Sequence, residues 1–228
     1  MNLSCRRYYS YATTLTKGEY LFYKNSESPV GGVLSVHVSK EDINFLPIGR
    51  WEGPSHLVRT VEEVRIAAEC LSRASLLGFD TETRPAFRKG QKFPPSLLQL
   101  ATGDEVFLFQ LKHTGLPESL VTILCNPAIT KAGVALDFDV LSLQALQPFQ
   151  PRGFTDLAKM ARRRGIKNQG LRGLAAVVCG IRISKSARTT NWAKDDLTLQ
   201  QIQYAATDAW VGREIYCRME THTVQPAL

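Results

Sequence analysis

The chain has 228 residues, 44% of them hydrophobic and 21% charged, an ordinary globular composition long enough for one sizeable core. No run reaches the roughly 18 consecutive apolar residues of a membrane-spanning helix, so that class is excluded and no membrane partner is expected. The five cysteines (Cys5, Cys70, Cys125, Cys179 and Cys217) are far apart, with no CxxC pair and no Cys/His cluster. That argues against a structural zinc site and fits a reducing compartment, so an intracellular, cytoplasmic location is expected.

Residues 1–18 carry Arg6, Arg7 and Lys17 among Ser, Thr and Tyr, with no acid. They have the flavour of an organellar transit peptide, though an irregular leader is the favoured reading. Residues 1–56 show no helical period; strand-like runs at 20–23 and 33–36 are split by Pro29 and Gly31-Gly32. They read as an irregular N-terminal extension of unknown role. Thr60, followed by Glu62 and Glu63, starts an amphipathic helix over 61–74, with Val61, Val64, Ala67, Ala68 and Leu71 at helical spacing. Residues 76–81 read as a buried strand. A polar loop over 84–95 follows, then a hairpin of 97–102 and 106–110 turning at Gly103-Asp104. A helix over 116–124 stops at Asn126-Pro127. Next come a strand over 129–136, a helix over 137–146 and a short strand over 154–156. Helices over 157–164, 171–179 and 199–219 complete the pattern. The order predicts an α/β domain over 57–220, a mixed sheet flanked by helices, with the hairpin supplying an antiparallel strand and 221–228 left as a tail.

The formal net charge is +7, and its placement says more. Residues 152–194 hold eleven basic groups and one acid, so this segment carries more than the whole excess. A solvated face is the bland explanation. A track for a polyanion is the sharper one, because the segment lies between two acidic motifs.

Those motifs are the chemistry. Asp80 and Glu82 are two apart at the end of a strand and would project to one side. Tyr204 and Asp208 are four apart on a helix and share a face. Between them Asp137 and Asp139 open another helix, where a cap or a favourable first-turn charge would explain either. Each piece alone is better explained structurally. Together they offer hard oxygen ligands for divalent cations such as Mg²⁺ or Mn²⁺ flanking a phosphodiester. A tyrosine pKa near ~10 makes Tyr204 a poor general base but a good hydrogen-bonding partner for an attacking water.

The stretches Phe79-Asp80-Thr81-Glu82, Gly133 to Asp139 with Leu143, and Tyr204-Ala205-Ala206-Thr207-Asp208-Ala209 resemble the DEDD-type 3′–5′ exonucleases of the RNase H-like (DnaQ-like) fold, tyrosine subclass. The chain is similar to ribonuclease D and to the exonuclease domain of the Werner syndrome helicase. Asn191-Trp192-Ala193-Lys194 with Leu197-Thr198 adds to the likeness, which covers about residues 60–220. The resemblance implies that Asp80, Glu82, Asp139 and Asp208 hold two Mg²⁺ or Mn²⁺ ions and that Tyr204 orients the nucleophilic water. It selects Asp139 over Asp137 through the spacing from Gly133 and to Leu143. The implied reaction releases nucleoside 5′-monophosphates from the 3′ end of DNA or RNA; a non-catalytic nucleic-acid-binding module is the alternative. Arg84 and Lys89 after the first motif, and Lys185, Arg188 and Lys194 before the last, are candidate phosphate contacts. Trp192 is a candidate base-stacking residue, with a packing role as its rival.

Overall fold

The computed structural model describes residues 37–88 and 90–221. The leader 1–18, the strand-like runs at 20–23 and 33–36, Lys89 and the tail beyond Thr221 lie outside the described residues. Six strands form one sheet in the order β1-β4-β3-β2-β5-β6. They are β1 (Ser55–Val58), β2 (Leu76–Thr83), β3 (Pro95–Ala101), β4 (Val106–Gln110), β5 (Thr130–Gly133) and β6 (Phe154–Asp156). The antiparallel strand is β3, which pairs with β2 and β4; the pairs β1–β4, β2–β5 and β5–β6 are parallel. The expected mixed α/β sheet is therefore present. Among the described residues no helix is long and apolar enough to cross a membrane.

Helices cover both faces. The helices are α1 (Lys40–Phe45), α2 (Val61–Leu71), α3 (Leu111–Thr114), α4 (Glu118–Cys125), α5 (Asp137–Leu146), α6 (Leu157–Arg163), α7 (Leu171–Cys179) and α8 (Leu199–Thr221). Thr60 starts α2 by a reciprocal cap: its hydroxyl accepts from the Glu63 N–H, and the Glu63 carboxylate accepts from the Thr60 N–H. Val64, Ala67, Ala68 and Leu71 then bury one stripe, while Val61 stays exposed. Thr198 and Gln201 make the same reciprocal pair before α8. On one face of the sheet α2, α4 and α5 enclose Leu77, Phe79, Leu98, Leu100, Phe107 and Phe109. On the other, Ala205, Ala206 and Ala209 of α8 pack on Leu97, Ala101, Val106 and Leu108.

That second contact is unusually close. A Cβ at Gly78 would lie 1.9 Å from the Ala209 carbonyl oxygen and 2.9 Å from its carbon. Only a glycine in β2 and small residues along α8 let the two backbones approach this far.

The strand expected over 129–136 is shorter. It runs over Thr130–Gly133 and carries Lys131, fully buried, whose Nζ donates to the carbonyls of Ile123, Asn126 and Ile129 at 2.8–3.1 Å. Those carbonyls belong to the end of α4 and the turn after it, so the ammonium satisfies acceptors that a helix C-terminus leaves bare. Burial pushes the Lys131 pKa down to about 8.

The boundary expected at residue 57 falls inside β1, a strand of four residues that sequence pattern did not reveal. The residues before it are also part of the body. Ile48 bridges Arg182, with Gly49 N–H donating to Arg182 O and Arg182 N–H to Pro47 O. Trp51 is buried against Trp210 of α8, its N–H donates to Thr207 Oγ1 at 3.0 Å, and its carbonyl accepts from Gln203 Nε2. This segment is fastened by backbone bonds and one aromatic anchor rather than by a repeating apolar face, which is why it shows no period.

Replacing Gly78 with alanine forces a methyl group into the Ala209 carbonyl. Gly78→Ala is expected to lower stability by about 1–3 kcal/mol, measured by urea unfolding. Unchanged stability would show that α8 can retreat without cost.

Candidate active site

The close approach of α8 to β2 sets the site. Asp80 and Glu82 alternate onto the face that α8 covers, opposite Gln99 and Leu97 of β3. Asp208 reaches the same place from α8, one residue before the Ala209 contact. One carboxylate oxygen from each of Asp80, Glu82 and Asp208 lies within 4.8 Å of the others. Asp80 is fixed by the Thr81 N–H, which donates to its Oδ1 at 2.9 Å.

Asp139 stands beside this trio rather than within it. It is the third residue of α5, and it accepts from the Thr81 hydroxyl at 2.5 Å. Its charge is felt by both Asp80 and Glu82. Asp137 points away: it is exposed and receives the Lys159 ammonium at 2.8 and 2.9 Å. Nor does it cap α5, since Leu136 holds the cap position and no side chain bonds there. The geometry thus separates two acids that the spacing left open.

Electrostatics make the cluster a poor home for four negative charges. Burial, then the charges of Asp208 and Asp139, hold the Asp80 carboxyl well above the usual range. Burial and the Asp80, Asp208 and Asp139 charges push Glu82 up to about 9. Burial raises Asp208 to about 7, opposed by the Tyr204 phenol paired with it and by Arg188. Burial also raises Asp139, against the Thr81 hydrogen bond. The Tyr204 phenol is itself pushed well up, by burial and then by the Asp208 and Glu82 charges. It is further from acting as a base than a free tyrosine, and remains a donor. Hard carboxylate oxygens this close, on separate rigid elements, match the donor set of Mg²⁺ or Mn²⁺, and such cations would relieve the repulsion.

The basic candidates divide. Arg188 is exposed in the loop before α8, yet its charge lowers both Glu82 and Asp208, so it lies at the rim of the cluster. Arg84 is exposed and stacks over the Phe93 ring at 4.7 Å. Lys185 and Lys194 are exposed on the same loop as Arg188, and Lys89 lies outside the described residues. Trp192 is corrected: it is 1% exposed and its ring lies 6.0 Å from that of Tyr204. A side chain so enclosed offers no face to a base, and its role is to pack. Part of the basic segment is also committed to contacts within the protein. Arg172 donates to Asn44 Oδ1 and Arg182 to the Leu46 carbonyl, so these cations hold the 37–54 strap rather than a polyanion.

Some contributors carried no local signal. Thr81 is recognisable only once α5 is folded against β2. The loop before α8 is held by Gln110 Nε2, which donates to the carbonyls of Lys194 and Asp195, and by Arg59, which donates to Gln110 Oε1 and Asp195 O. Lys112 adds an ion pair to Asp195 at 2.5 Å. Each of these side chains reaches the loop from more than 80 residues away in the chain.

A family model described as 3′–5′ exonuclease matches residues 55–223. The bifunctional 3′–5′ exonuclease/ATP-dependent helicase WRN of Mus musculus is 31% identical over 155 residues, covering 65% of this chain and 11% of its own length. Ribonuclease D of Haemophilus influenzae is 31% identical over 175 residues, 74% of this chain and 43% of that protein. The chain therefore spans less than half the length of either. Among solved structures, the Nibbler EXO domain of Aedes aegypti superposes with a TM-score of 0.69 at 25% identity, covering 75% of this chain and 91% of that one.

The raised carboxyl pKa values have a sign. Between the ordinary Glu value of 4.5 and about 9, folded Glu82 keeps a proton that the unfolded chain has released, so stability of the metal-free protein falls as pH rises through that window. Thermal melts in chelator are expected to show this fall, and Mg²⁺ or Mn²⁺ to offset it by binding the folded state. Asp80→Asn, which removes one charge, should flatten the pH dependence and raise the metal-free melting temperature. A variant as pH-sensitive as the wild type would contradict the crowding.

Proposed function

The chain belongs to the 3′–5′ exonuclease family, and from that premise we propose that it hydrolyses phosphodiester bonds of DNA or RNA from the 3′ end, releasing nucleoside 5′-monophosphates. The observation that carries this is the convergence of the Asp80, Glu82 and Asp208 oxygens within 4.8 Å at a buried junction of strand and helix. Asp139, tethered by Thr81, supplies the fourth carboxylate. These four residues would hold two divalent cations, Mg²⁺ or Mn²⁺. Bound there, such ions would supply Lewis acidity to activate water and to stabilise charge on the departing 3′ oxygen.

The side chains then divide the remaining work. Tyr204 keeps its proton and donates or accepts a hydrogen bond that aims the attacking water, a contribution of orientation rather than basicity. Arg188 offsets phosphate charge at the rim and draws the polynucleotide towards an otherwise acidic centre. Trp192 backs the Tyr204 ring and keeps it in place. The relatives' names include a ribonuclease and an exonuclease joined to a helicase, which supports a polynucleotide 3′ end, of DNA or of RNA, as the substrate.

Oligonucleotides of DNA and RNA labelled at the 5′ end should shorten in a ladder from the 3′ end when Mg²⁺ or Mn²⁺ is present. Asp208→Ala should abolish the ladder while the protein remains folded by circular dichroism; wild-type cleavage would sink the assignment. Tyr204→Phe should retain Mn²⁺ binding and lower kcat by about 10²-fold. If kcat is unchanged, the water-aiming role is wrong. Arg188→Ala should raise KM and reduce the dependence of KM on salt, with little change in kcat.

A further inference from the structure

One polar side chain under α8 has no partner. Gln99 is fully buried, and neither Nε2 nor Oε1 makes a hydrogen bond among the described residues. Its place is defined by register: Gln99 is directly opposite Asp80, between Ala101, opposite Gly78, and Leu97, opposite Glu82. Residues opposite one another in an antiparallel pair share a face, with Cβ atoms about 5 Å apart. Gln99 therefore shares the row of the acidic cluster, inside the apolar patch that Leu97, Ala101, Leu108 and the α8 alanines enclose. An amide buried with no bond costs about 1–3 kcal/mol, and a cross-strand neighbour of a candidate metal ligand is a specific place for that cost.

We propose that Gln99 is a positioning residue for the metal site: its Nε2–H donates to the Asp80 carboxylate when a divalent cation is bound there. The inference rests on the metal-site reading above. Asp80 already receives the Thr81 N–H on Oδ1, which fixes one edge of the carboxylate. A second donor from β3 fixes its rotation, so the remaining lone pairs face Glu82 and Asp208. A carboxylate held from outside in this way presents its ligand oxygen without first losing torsional freedom, and partners of this kind are worth about 10–100-fold in metal affinity.

Mn²⁺ titration by calorimetry, on the wild-type protein and on Gln99→Leu and Gln99→Met, tests this. Methionine keeps the side-chain length without a donor, so it serves if leucine disturbs folding. Both variants should melt at or above the wild-type temperature in chelator, bind Mn²⁺ about 10–100-fold more weakly, and show a smaller rise in melting temperature at a fixed Mn²⁺ concentration. Cleavage should recover as Mn²⁺ is raised, with KM for the oligonucleotide unchanged. Wild-type Mn²⁺ affinity in the variants, or a loss confined to metal-free stability or to oligonucleotide KM, overturns the role of Gln99 alone. Failure of the wild-type protein to bind Mn²⁺ overturns the metal-site reading and this inference together.

Discussion

The contact between the Gly78 backbone and the Ala209 carbonyl governs the rest of the molecule. Without it α8 would ride higher on the sheet, and the Asp208 carboxylate would sit too far from Asp80 and Glu82 to share a cation. A missing side chain in β2 and alanines at 205, 206 and 209 of α8 make the approach possible. Glycine weakens a strand, and alanine contributes little buried area, so neither choice favours stability locally. Their joint effect is to bring two backbones, and through them two carboxylates, to a separation that larger residues forbid. Gly133 repeats the device on β5, where a Cβ would lie 2.4 Å from the Phe79 carbonyl. Phe79 directly precedes Asp80, so both close contacts fall just before the acidic end of the strand.

Rigidity of this kind is what a crowded carboxylate site requires. Left to relax, Asp80, Glu82 and Asp208 would separate into solvent and lose the concentration of charge that binds a hard cation. Held in place, they keep protons at pH values where free carboxylates have none. The folded protein thus stores an unfavourable interaction in its centre, one that a bound cation would relieve. The same logic explains the shell around Tyr204. Its phenol is raised by burial and by the acids beside it, so any role it has there would be one of position, and the Trp192 ring packs against it at 6.0 Å.

Much of the site was legible because its spacing follows local geometry. A period of two brought Asp80 and Glu82 together, and one helical turn brought Tyr204 to Asp208. The mixed sheet and most helices followed from apolar periodicity and from the breaks at Asn126-Pro127 and Gly103-Asp104. The choice between Asp137 and Asp139 was beyond periodicity, since both open α5; it came from family resemblance, and a Lys159 ion pair on one and a Thr81 hydrogen bond on the other now separate them physically. What escaped was whatever depended on distant partners. β1 is four residues long and is a strand only because β4 lies beside it. The Arg59–Gln110 clamp on the loop before α8 has no pattern of its own. The basic segment looked uniform as a string of charges, yet Arg172 and Arg182 turn inward to backbone and amide acceptors while Arg188 faces the acids.

The strap at Trp51 bears on how such a domain can be delimited. Its backbone grips α8 at Gln203 and Thr207, each the immediate chain neighbour of Tyr204 or Asp208. The family match begins four residues later, at 55. A fragment cut at that limit would keep every residue of the acidic cluster and the whole sheet. It would also take one hydrogen-bond partner from each of Gln203 and Thr207 and bare one face of Trp210, on the helix that carries Tyr204 and Asp208. The unit that is shared across relatives and the unit that stands by itself are therefore not the same length of chain, and the difference lies in a stretch that contributes no atom to the acidic cluster.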